Sequence, residues 1–237
     1  MRALPVRGIE ALLAGGPLVV LAPHADDESL GCGGIIAACC AAGVAPFVLV
    51  MTDGAGSHPN SVAYPRERLV ALREAEARAA VELLGLPRDR ISFLGLPDTL
   101  CPLQGPGLEA AAERVAAVVQ SVGAGAVLAT WLFDPHCDHL SAHRIGGRAA
   151  AMSGVRHLAY PVWGWTLPDT AEVEAACGGM RVDVSAFLGV KRAAILAHRS
   201  QYAGVIVDDP GGFQMSEGFV EGFLGGFEVV LEVGEGF

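Results

Sequence analysis

Two short clusters of titratable residues carry the chemistry of this chain. The first reads Pro23, His24, Ala25, Asp26, Asp27, Glu28, Ser29. The second reads Asp134, Pro135, His136, Cys137, Asp138, His139, with His143 four residues further on. In the first cluster four ionisable side chains crowd together, and like charges this close call for a compensating cation. Acids that favour a helix N-terminus account for one or two of these carboxylates, but not for His24 or for three acids together. In the second cluster His136 and His139 lie three apart where a helix begins, so one side of its first turn can carry both. Asp138 also suits an N-cap. His24, Asp27 and His139 offer the nitrogen and oxygen donors that suit zinc, and three protein ligands leave a position for water. Ligand type alone leaves Mn2+ and Fe2+ open. His143 reads as a packing residue, and the Cys137 thiol points away if His136 and His139 converge.

Both clusters follow apolar runs that read as strands. Strands are predicted at 18–22, 46–51, 91–94, 126–130 and 156–160. Helices are predicted at 32–42, 66–84, 108–121 and 139–152. The 66–84 helix is the clearest, with Leu69, Leu72, Ala79, Leu83 and Leu84 near helical spacing and a stop at Gly85 and Pro87. This alternation predicts an α/β chain, a Rossmann-like three-layer fold around a mostly parallel sheet. In such sheets sites gather at the carboxyl ends of strands, where both clusters lie. One domain over 1–237 is expected, with a catalytic core of about 17–201 and a C-terminal acidic, Phe-rich segment at 202–237.

Composition excludes several classes. The 237 residues are 52% hydrophobic, with mean hydropathy +0.43, so the chain can meet the entropy cost of ordering. With 16 Lys and Arg against 26 Asp and Glu the net charge is −10, which disfavours a nucleic-acid partner. Residues 29–52 carry no charge, but glycines and Pro46 interrupt them, so they read as a buried helix, a turn and a strand rather than a membrane span. The N-terminus lacks a signal-peptide pattern, and the six cysteines show no CxxC spacing. Buried thiols in a reduced, cytoplasmic setting are the expectation. The glycines at 31, 33 and 34 lack the GxGxxG order of a dinucleotide site and suit close packing of a helix on the sheet.

PHADDE at 23–28, followed by HCDH at 136–139, resembles the zinc-dependent PIG-L/LmbE family of N-deacetylases, which act mainly on N-acetylglucosamine-type sugars. The family pattern is AHPDDE plus HPDH, and this chain differs at Ala25 and Cys137, each standing where the family has Pro. The resemblance extends to MTDGAGSHPNS at 51–61, Arg73 and Glu76, LGLPD at 94–98 and KRAAILAHRSQ at 191–201, with a weaker match to FEVVLEV near the end. It implies His24, Asp27 and His139 as zinc ligands, Asp26 as general base and His136 as the group that stabilises the oxyanion. It also implies that Arg73 and Asp98 contact sugar hydroxyls. Arg73 on a solvated helix face and Asp98 as a turn residue are the competing readings. A protonated His136 held by Asp134 or Asp138 would meet the developing charge, and Glu28 would brace the loop through backbone donors. The implied activity is removal of an N-acetyl or N-acyl group from a small-molecule amino sugar or glycoconjugate. Another amide or acyl substrate, or a non-catalytic metal-binding module, is the alternative.

The remaining features are less specific. Residues 53–64 read as a mobile loop, His58 as a surface residue, and the tryptophans at 163 and 165 as a pocket wall. Residues 201–237 hold seven acids, no Lys or Arg, and five of the nine Phe. Phe219, Phe223 and Phe227 are spaced as on a helix, which predicts a packed terminal helix and strand or a homo-oligomer interface.

Overall fold

The strands pair as the hydrophobic runs predict, and the chain ends add three more. The computed structural model describes residues 1, 3–167 and 178–233. Its strands are β1 (Val6–Arg7), β2 (Leu18–Ala22), β3 (Phe47–Thr52), β4 (Ile91–Leu96), β5 (Ala126–Thr130), β6 (Arg156–Tyr160), β7 (Gly179–Asp183) and β8 (Phe227–Glu232). They form one sheet in the order β1-β7-β8-β6-β5-β2-β3-β4. All neighbours run parallel except β8, which is antiparallel to both β6 and β7. The helices are α1 (Asp27–Ala41), α2 (Arg66–Leu83), α3 (Gly105–Val122), α4 (Cys137–Ser153), α5 (Leu188–Ala197), α6 (Arg199–Tyr202) and α7 (Glu217–Gly222).

Successive strand residues point to opposite faces, and this alternation builds two cores. Val20, Val48 and Val50 pack with Ile35 of α1, Ala80 of α2 and Ile195 of α5. Val19, Leu21, Leu49 and Met51 pack with Val115 of α3 and Ile145 of α4. The central strands are therefore apolar throughout, as burial on both faces requires. No helix of the described residues is long and apolar enough to cross a membrane. The uncharged stretch at 29–52 is instead most of α1, a turn and β3.

Two details place the site. The chain leaves β2 for β3 on one side, whereas β5 leads to β6 on the other, so the carboxyl ends of β2 and β5 flank a switch point where a crevice opens. In addition, α1 and α4 start earlier than their periodicity predicts, at Asp27 and Cys137, because the polar residues themselves form the first turns. Close packing of α1 needs its glycines: a Cβ on Gly31 would lie 2.3 Å from Tyr160, and one on Gly34 would lie 2.5 Å from Val184.

The C-terminal segment adds a helix and a strand, but not one helical stripe. Phe219 and Phe223 rings lie 5.1 Å apart at α7, while Phe227 opens β8. The next residue, Glu228, reaches under α1. Its carboxylate accepts from Gly34 N at 2.8 Å, Ile35 N at 2.7 Å and Lys191 Nζ at 2.7 Å. The only lysine of the chain thus sits in a buried ion pair whose acid has three donors.

Candidate active site

The loop after β2 is built around an unusual backbone. Asp26 adopts φ 155°, ψ −28°, a conformation that costs a non-glycine residue about 1–3 kcal/mol. Its surroundings hold it there. Asp26 N donates to Glu28 Oε2 at 3.0 Å, so Glu28 braces the loop through a backbone donor. Glu28 Oε1 in turn takes the Ser29 hydroxyl at 2.7 Å and faces His198 Nε2 at 3.0 Å. From α2, Arg73 donates to Ala25 O at 3.0 Å and Gly54 O at 2.9 Å, and its Nη2 lies 3.4 Å from Asp26 Oδ2. Arg73 is 3% exposed, so the solvated-face reading does not hold: its partners are main-chain oxygens of two loops and the Asp26 carboxylate.

The two clusters meet at Asp27. Its Oδ2 lies 3.1 Å from His24 Nδ1 and 3.3 Å from His139 Nε2. Donors ~2.0–2.1 Å from a tetrahedral zinc are roughly 3.3–3.4 Å apart, so this spacing suits one ion. His139 Nε2 is fully buried and has no hydrogen-bond partner, as a ring nitrogen kept for a metal requires. The other ring nitrogens are held by carboxylates: His139 Nδ1 by Asp134 Oδ2 at 2.9 Å, and His24 Nε2 by Asp138 Oδ2 at 3.2 Å and Asp98 Oδ1 at 3.3 Å. Such outer carboxylates fix ring orientation and raise ligand basicity. Ring nitrogens of His24, His136 and His139 also converge within 4.8 Å, so His136 lies beside the same donors.

Asp134 and Asp138 therefore brace His139 and His24, and not His136 as expected from the sequence. His136 is oriented differently. Its Nδ1 accepts from Asp138 N at 3.2 Å and caps α4, which leaves Nε2 to carry the proton. Burial, together with the charges of His24 and His139, pushes its pKa below the ordinary value. Burial also raises the Asp26 carboxyl to about 6, against the opposing pull of Arg73. Asp27 shifts the other way: burial would raise it, but His139 and His24 outweigh that and hold it well below the usual carboxylate range.

A cavity of about 160 Å³ opens on these groups. His24, Asp26, Asp27, Arg73, Asp98 and His136 line it, while Asp134, Asp138 and His139 lie buried behind it. Asp98 is a turn residue whose Oδ2 accepts Gly56 N at 2.8 Å, and its side chain faces the cavity. Trp163 and Phe213 form an aromatic wall with ring centroids 5.8 Å apart, whereas Trp165 points elsewhere and Trp131 is core. Phe213 and Gln201 were not singled out by the sequence, although Gln201 closes the KRAAILAHRSQ motif that could have flagged it. The 53–64 loop is pinned rather than free: Asp208 accepts Val62 N and Ala63 N, each at 2.8 Å, and Asp209 accepts Asn60 N at 2.8 Å. His58 is buried against Gly212 rather than at the surface. His143 bonds Thr130 O at 3.0 Å, away from the site, and the Cys137 thiol is exposed.

Residues 19–150 match the family described as PIG-L: GlcNAc-PI de-N-acetylase. The chain belongs to the PIG-L family. A curated relative, 2'-N-acetylparomamine deacetylase of Streptomyces fradiae, is 28% identical over 167 residues, 66% of this chain and 60% of that protein. The chain thus spans less than two thirds of that relative. Among solved structures, N,N'-diacetylchitobiose deacetylase from Pyrococcus horikoshii superposes with a TM-score of 0.59 at 21% identity, covering 90% of this chain and 78% of that one. GalB, the 4-carboxy-2-hydroxymuconate hydratase from Pseudomonas putida, superposes with a TM-score of 0.65 at 21% identity, covering 88% and 82%. These two likenesses concern the fold, which carries more than one reaction.

Proposed function

We propose that this PIG-L family chain is a metal-dependent N-deacetylase that removes an acetyl or other acyl group from an amino sugar or its conjugate, acting as one catalytic unit. The observation that supports it best is Asp27 Oδ2 set between His24 Nδ1 and His139 Nε2, with Asp26 and His136 on the same cavity. His24, Asp27 and His139 would hold a divalent cation, zinc first by ligand type. When bound, such an ion supplies Lewis acidity that polarises the amide carbonyl and makes water a nucleophile near neutral pH.

The residues of the chain supply the rest. Asp26 adjoins ligand Asp27 yet stays free to take a proton, and a carboxyl raised to about 6 can accept one and later return it to the leaving amine. Arg73 holds Ala25 O and Asp26 Oδ2, which fixes that carboxylate against the cavity. His136, donating through Nε2, stabilises the oxyanion, an interaction worth about 3–4 kcal/mol in comparable sites. Trp163 and Phe213 offer apolar faces to a sugar ring, and Asp98 accepts from its hydroxyls.

The test is a panel of N-acetylated amino sugars and glycosides assayed for released amine, with added Zn2+ and with a chelator. Release that depends on metal and on Asp26 supports the proposal. Release that survives chelation, or turnover confined to substrates without an N-acyl group, contradicts it.

A further inference from the structure

A second cavity, of about 280 Å³, lies between α1, β7 and β8, beside the 163–166 turn. It is larger than the catalytic pocket, and the two share one wall residue, Leu30. Arg181 of β7 enters it with its guanidinium already fixed: Nε donates to Leu4 O at 2.8 Å, and Cζ lies 4.9 Å over the Phe227 ring. Among the described residues no carboxylate pairs with Arg181, and its two terminal nitrogens are not buried. Lys191 also borders the cavity, and Glu228 is its one acceptor among the described residues. Glu228 itself is already satisfied by Gly34 N and Ile35 N. Among the described residues, two cations and one carboxylate line the cavity, a net charge of about +1 in a chain whose total is −10. The mouth is aromatic: Trp165 is 40% exposed and Phe227 is 43% exposed.

Each feature selects for the same kind of ligand. A guanidinium held by Nε and by a ring face is pre-organised, and its remaining Nη1–Nη2 edge fits a carboxylate or phosphate in bidentate fashion. Exposed aromatic faces and the apolar Leu30 and Phe223 suit a flat apolar body. The volume approaches the ~300–1,000 Å³ of small-molecule sites. We propose that this cavity is a second binding site, for a small organic anion that places its carboxylate or phosphate on Arg181 and its body against Trp165 and Phe227. Leu30 follows Asp27 by less than one turn of α1 and walls both cavities. The site does not depend on the proposed reaction.

The test uses phenyl phosphate and benzoate as probes, with benzyl alcohol as a neutral control. Binding is followed by tryptophan fluorescence and by equilibrium dialysis. Saturable binding of at least one anion, at least tenfold tighter than benzyl alcohol, is expected, and the preferred anion tells phosphate from carboxylate. R181Q should weaken it at least tenfold in a chain that still unfolds cooperatively. W165L, at an exposed position, should weaken it as well and serves if R181Q does not fold. H139A should retain it, because His139 lies behind the other cavity. The proposal is overturned if neither anion binds saturably, if R181Q or W165L binds as the parent does, or if H139A abolishes binding, which would put the probe in the catalytic pocket.

Discussion

Asp134 does not line the cavity, yet replacing it should loosen the metal. Its Oδ2 receives three donors: His139 Nδ1 at 2.9 Å, Val162 N at 2.9 Å and Trp163 N at 3.2 Å. Its Oδ1 receives Gly164 N at 2.6 Å. In Asp134→Asn the amide oxygen takes the three-donor side, and the amide NH2 then faces the Gly164 N–H. Two consequences follow. The orphaned N–H costs about 1–3 kcal/mol of folding stability. The His139 ring also loses its anionic partner, and partners of this kind are worth roughly 10–100-fold in metal affinity, or about 1.4–2.8 kcal/mol. Competition for Zn2+ against a chromophoric chelator at pH 7 reads the second effect, and urea unfolding of the metal-free chain reads the first. A folded variant with a zinc dissociation constant within twofold of the parent's would refute the assignment of His139 as a ligand braced by Asp134.

Two further perturbations concern stability. The His157 ring lies 4.7 Å from His143 and its Nε2 has no partner, and burial pushes its pKa down to about 3. An unfolded histidine titrates near ~6.5, so below that pH the unfolded chain binds the extra proton. Stability from this group is complete above ~6.5, falls as pH drops toward 3, and is down by about 2 kcal/mol at pH 5. His157→Gln should remove that component, seen as a shallower change in urea midpoint between pH 7.5 and 5.0; a slope equal to the parent's contradicts it. Lys191→Met leaves the buried Glu228 without its cation and should cost about 3–5 kcal/mol, while Lys191→Met with Glu228→Gln should recover much of the loss. Equal losses in the single and double variants would show that the pair is not coupled.

The central sheet was readable because its strands are short apolar runs whose ends carry the chemistry. Leu18–Ala22 and Ala126–Thr130 match their predicted bounds, and their carboxyl ends bring His24, Asp27 and His139 together. The chain ends were less legible. β7 carries only weak alternation, and β8 gains its place from pairing with β6 and β7, a contact between distant segments that no local pattern encodes. Glu28 finds His198 from 170 residues away, and Glu228 finds the main chain of α1 from 194 residues away. A solvated face competed for Arg73 because its partners are main-chain oxygens, which a sequence does not display. The same limit hid the division of labour in the second cluster. Asp134 and Asp138 were visible as carboxylates near histidines, but which imidazole each one meets depends on the turn that makes His136 an N-cap.

The central claim is that adjacent aspartates divide the work, Asp27 holding the metal and Asp26 moving the proton. Metal content and amine release, measured on the same preparations of the parent, Asp26→Asn and Asp27→Ala, test it directly. The account predicts that Asp26→Asn keeps the parent's metal content and loses nearly all turnover, while Asp27→Ala loses both. Full metal content in Asp27→Ala, or parent-like turnover in Asp26→Asn, would contradict it.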